Sequence, residues 1–92
     1  MLGTEEITDK IINTDNETET QKHLILFDDD VNDFDFIVIR LIEVCKFDAE
    51  QANSYTLEAH FEGKSCIKKG TFDELEPYQN ALARQNITTE IQ

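Results

Sequence analysis

Apolar and polar positions alternate in two distinct periods along this chain, and the switches between them mark its elements. From His23 to Phe27 the run Leu-Ile-Leu-Phe is nearly continuous, which predicts a strand buried on both faces or nearly so, hence a central one. After Asn32, a suitable helix N-cap, Phe34, Ile37, Val38, Leu41, Ile42 and Cys45 recur at helical spacing, which predicts a helix to about Lys46. Asp33 and Asp35 place negative charge in its first turn, where the helix dipole favours it. Asp48 and Gln51 have the spacing of a capping box, and Ala49, Ala52, Thr56 and Ala59 line one side of a second helix that Gly63 stops. A short strand from Lys64 to Lys69 follows. Thr71 with Glu74, or Asp73 itself, can start a third helix, which carries Leu75, Tyr78, Ala81 and Leu82 on its buried stripe; Pro77 is tolerated best in the first turn, so a start near Asp73 is expected. Asn86 suits a left-handed turn, and Ile87 to Ile91 alternates as a half-buried last strand does. The order is β-α-α-β-α-β, an α+β fold in which a small three-stranded sheet packs on three helices in two layers.

Residues 1–21 are rich in Thr, Asn, Asp and Glu, with too few apolar side chains to hold them against a core. A flexible acidic arm is expected there, followed by one domain over residues 22–92. The arm's first residues carry acids where a secretory signal needs positive charge, and no apolar run is long enough to cross a bilayer, so a cytoplasmic protein is expected. Eight Lys and Arg stand against 20 Asp and Glu, a formal net charge of −12, which opposes binding to nucleic acid or an anionic membrane and favours cationic ligands. Cys45 and Cys66 lie far apart without metal-like or redox-like spacing, and are expected as buried, reduced thiols.

The chemistry concentrates at Asp28, Asp29 and Asp30, three adjacent carboxylates between the first strand and the first helix. A strand-to-helix junction can hold acids beside apolar side chains, which suits a cation carrying a hydrophobic group, such as the free amino terminus of a peptide. The bland reading is an acid cluster that leads a helix and gains from its dipole. A calcium loop fails on spacing: with Asp28, Asp30 and Asn32 as the first ligands, the sixth position is Asp33 where Gly is needed and the twelfth is Ile39 where Glu is needed. His60 lacks partners for a zinc site.

In order and spacing, Leu24-Ile25-Leu26-Phe27, Asp28-Asp29-Asp30, Asn32-Asp33-Phe34, Phe36-Ile37 and Ala59-His60-Phe61-Glu62-Gly63 resemble the ClpS family, the small adaptors of AAA+ Clp proteases. The resemblance runs from Leu24 to Gly63. It implies a non-catalytic adaptor that binds the first residue of substrate proteins with hydrophobic N-termini and docks on the N-terminal domain of a Clp ATPase. It also implies roles. Asp28, Asp29 and His60 would contact the peptide's α-amino group, Asp30 and Asn32 would support them, and Phe34, Ile37, Thr56, Leu57 and Ala59 would surround its side chain. No cofactor or metal is implied, and a monomer is expected.

The chain departs from the family pattern in several places. Asp28 stands where the family has Asn, Phe34 and Thr56 where it has methionines, and the residues after Gly63 lack the His-Pro-Leu turn before the last strand. A carboxylate should hold an ammonium at least as well as a carboxamide. Phenyl for thioether stiffens one wall and threonine opens the other, so side-chain selectivity does not carry over. If Phe34 fills the hollow, the alternative is an interaction protein of the same fold that binds a Clp ATPase or another partner as scaffold or inhibitor. An enzyme is the weakest reading, since no nucleophile motif, phosphate loop or metal set accompanies the acids and the histidine.

Overall fold

The computed structural model describes residues 20–92. The expected acidic arm therefore lies outside the described residues except for Thr20 and Gln21, both exposed. The elements are β1 (Lys22–Phe27), α1 (Phe34–Cys45), α2 (Ala49–Glu62), β2 (Lys64–Gly70), α3 (Phe72–Ala83) and β3 (Thr89–Ile91), in the order that the two periods predict. Among the described residues no helix is long and apolar enough to cross a membrane.

The sheet is antiparallel throughout, in the order β2-β1-β3, so β1 is central. Leu24 and Leu26 turn toward the helices and are 0% and 1% exposed, while Ile25, flanked by Cys66 and Glu90 on the opposite face, is still only 8% exposed. That accounts for the unbroken apolar run in β1. β2 carries a bulge at Ile67, since Leu24 pairs with Lys68 but Ile25 pairs with Cys66. A bulge sets two successive side chains on nearly the same face. Ile67 is thus buried in the core, and the Lys68 ammonium lies 4.8 Å from the ring centroid of Tyr78 on α3, a cation–π contact.

Leu41 of α1, Ala52 of α2, Leu75 and Leu82 of α3 and Ile87 complete the core against β1. Between α1 and α2, Lys46 takes the left-handed conformation and the Phe47 ring meets Tyr55 at 5.1 Å, which closes the helical hairpin. The Asp48 carboxylate accepts from the Gln51 amide at 2.7 Å and starts α2. Ala52, Thr56 and Ala59 face inward as the spacing predicts, whereas Ala49, the first residue of the helix, is exposed beyond the reach of the core.

Other expectations shift. α3 starts at Phe72, one residue before Asp73, with Thr71 and Glu74 forming the reciprocal capping box. Pro77 is therefore the sixth residue of α3, past the first turn, and leaves the Asp73 carbonyl without its helical donor. Both residues are exposed, so water can replace that bond. β3 is shorter than the Ile87-to-Ile91 run, although Asn86 has the expected positive φ of 65° and Ile87 is buried. Cys45 is buried as expected, but Cys66 is half-buried, on the sheet face away from the helices.

Gly63 ends α2 with φ of 90°, and its amide donates to the Ala59 carbonyl at 2.9 Å. No atom lies within 4 Å of where a Cβ would stand, so the requirement for glycine is conformational, not steric. Gly63→Ala should cost about 1 to 2 kcal/mol of stability in urea unfolding, the expense of a left-handed L-residue, with spectra otherwise unchanged. Burial pushes the Cys45 thiol up to about 11, against a smaller downward pull from Lys68. The unfolded chain then gives up this proton at lower pH than the folded one. Stability should be intact below the ordinary thiol range and should fall as pH rises from about 8.5 toward 11. Cys45→Ser should flatten that decline in pH-dependent denaturant titrations.

Candidate functional site

The acid triplet begins where β1 ends. The Asp28 amide donates to the Gly63 carbonyl at 3.0 Å, which joins the end of the central strand to the end of α2 and sets Asp28 beside His60. The His60 Nδ1 atom is 3.6 Å from Asp28 Oδ1. The Asp29 carboxylate is held from three sides: Oδ1 accepts from the amides of Val31 at 2.8 Å and Asn32 at 3.3 Å, and Oδ2 accepts from the Asn32 carboxamide. A carboxylate offers about four acceptor sites, so Asp29 keeps one free, on Oδ2.

Asn32 also donates to the carbonyl of Asn86 at 2.9 Å, tying the acidic loop to the turn between α3 and β3. Asn32 was expected to cap α1, but its side chain is committed to Asp29 and Asn86. Asp33 takes the N-cap position instead, with extended backbone and no side-chain cap bond.

Around this loop lies an open cavity of about 340 Å³, at the small end for ligand sites. Its apolar walls are Leu26, Phe27, Phe34, Ile37 and Ala59, with Thr56 among them; its polar rim is Asp28, Asp29, Asp30, Asn32, Asp33 and His60. Phe34 is a half-buried wall of the cavity and not a plug in it. The Thr56 hydroxyl donates to the Ala52 carbonyl of its own helix at 2.8 Å, so it needs no partner in the cavity and adds little polarity there. Four carboxylates and no Lys or Arg line the hollow, which gives it a negative field with nothing on its wall to balance it.

Nearly all of the residues read from the sequence as a site meet around this one cavity. Leu57 does not. It is 43% exposed and borders a different hollow with Phe61, because Ala52, Thr56 and Ala59 define the inner face of α2 and the next residue after Thr56 turns about 100° away from it. Leu26, Phe27 and Asp33 line the cavity without having been singled out. The first two could have been found from the strand's alternation, since the residues just before the acids must reach the same end of the sheet. Among the described residues no group of three or more His, Cys, Asp or Glu is placed to hold a metal ion.

None of the curated proteins matches this sequence. Among solved structures, Agrobacterium tumefaciens ClpS2 bound to L-phenylalaninamide superposes with a TM-score of 0.73 at 16% identity, covering 83% of this chain and 98% of that one. At that identity the likeness establishes the fold. The family described as ATP-dependent Clp protease adaptor protein ClpS matches residues 17–90, nearly all of the described chain together with the residues just ahead of β1. The chain belongs to the ClpS family of Clp protease adaptors.

Proposed function

We propose that this adaptor binds the free first residue of substrate proteins, chiefly those with hydrophobic N-termini, and delivers them to an AAA+ Clp protease by docking on the N-terminal domain of its ATPase. It acts as a cytoplasmic monomer without cofactor or catalysis. The observation that carries the reading is the meeting of an acidic rim and an apolar hollow of side-chain size. An α-ammonium has three donors. Oδ2 of Asp28 and the remaining site on Oδ2 of Asp29 can accept two, and a ring nitrogen of His60 the third, while the first side chain enters between Phe34, Ile37, Thr56 and Ala59. The ligand of the Agrobacterium relative, an amino-acid amide, joins the same two features in one molecule: a free amine and an aromatic side chain.

Asp28 in place of a carboxamide gives the ammonium a full charge to pair with. The alternative, a scaffold or inhibitor with a closed pocket, finds less support, because Phe34 stands at the side of an open cavity.

Fluorescence anisotropy on short peptides that differ in residue one tests the proposal. Peptides starting with Phe or Leu should bind, and acetylating their amine should cost on the order of 2 to 5 kcal/mol, since it leaves carboxylates desolvated and unpaired. Equal affinity for Phe-first, Gly-first and acetylated peptides would reject the reading. Asn32→Ala should remove the side-chain donor to Asp29 Oδ2 and the link to Asn86 together, leaving the two backbone donors on Oδ1. Peptide affinity should fall about tenfold and stability by about 1 kcal/mol, with faster amide exchange at Val31 as the sign that the loop has loosened.

A further inference from the structure

Leu57 and Phe61 stand four residues apart on α2, the spacing that brings side chains together on one helix face, and they remain 43% and 73% exposed. With Ser54, Glu58, Glu62 and Lys64 they border a shallow hollow on the outer side of the helix. Paired apolar side chains left in water are a common mark of a contact surface. This ledge shares no lining residue with the acid-rimmed cavity but adjoins it through the His60–Phe61 pair. Ala59 and His60, from the same helical turn, line the cavity, and the Phe61 ring meets the His60 ring edge-on at 5.1 Å. His60 in turn stands 3.6 Å from Asp28. An extended chain advances about 3.3 Å per residue. A peptide whose α-ammonium sits at Asp28 and which leaves the cavity over His60 therefore brings its second or third residue against Phe61.

We infer that the Leu57–Phe61 ledge is a second subsite for the same peptide and selects apolar residues at its second and third positions. The ledge has this role only if the cavity holds the first residue, as proposed above. Its surroundings sharpen the selection: Glu58 and Glu62 outnumber Lys64, so an acidic residue there meets repulsion, and an apolar one meets none.

The test uses anisotropy on peptides that all begin with Leu and carry Phe-Phe, Gly-Gly or Asp-Asp next, each with a free and an acetylated amine. The Phe-Phe peptide should bind about tenfold tighter than Gly-Gly, the scale of partly burying apolar side chains, and Asp-Asp weakest. Phe61→Ser should erase the gap between Phe-Phe and Gly-Gly while acetylation still weakens both, and Phe61→Leu should restore most of it. The ring is largely in water, so neither change threatens the fold. If acetylation matters but Phe-Phe and Gly-Gly bind within about twofold of each other, or the preference survives in Phe61→Ser, the ledge is refuted and the cavity reading stands. If no peptide binds, or acetylation changes nothing, both fall.

Discussion

The hydrogen bond from the Asp28 amide to the Gly63 carbonyl fixes the relation between two parts of the chain that sequence keeps 35 positions apart. It joins the end of the central strand to the end of α2. It extends the β1–β2 ladder past the Phe27–Lys64 pair, so the acidic loop and His60 share one end of the sheet. The bond in turn depends on the left-handed glycine, which bends the backbone so that its carbonyl faces β1 while its amide completes the last turn of the helix. One backbone contact thus converts a helix stop into one wall of a cavity.

The walls of the cavity pair a large rigid side chain with a small one. A stiff phenyl at 34 takes one side, and threonine at 56, its hydroxyl folded back on its own helix, leaves space on the other. The side walls set shape, while the rim sets charge. These two properties sit on different elements, shape on the inner faces of α1 and α2 and charge mostly on the loop between β1 and α1, so either can vary without disturbing the other.

Periodicity made the elements and their order legible, because each helix and strand buries one face and the core decides which residues stand on it. Element ends were less legible where a side chain had two possible uses. Asn32 had the chemistry of a cap, but an acceptor 54 residues away claimed its amide, and local spacing cannot reveal such a partner. Likewise Thr71 and Asp73 both offered a start for α3, and reciprocal bonding at Thr71 decided it at the expense of leaving Pro77 in the second turn. At the site, the acids could be read from their place at the strand-to-helix junction and His60 from the resemblance to the family, and the inner face of α2 separated Thr56 and Ala59 from Leu57. The volume of the hollow could not be read, since it depends on the direction of one ring.

Antiparallel pairing has a practical consequence at the other end of β1. His23 exchanges two backbone hydrogen bonds with Gln92, so both extremities of the described chain emerge side by side, about 20 Å of strand away from the acidic loop. A label, fusion partner or surface linker attached directly after Gln92 is held on the side of the molecule that faces away from the mouth. Molecules immobilised in this way would all present their openings to the solution in the same orientation.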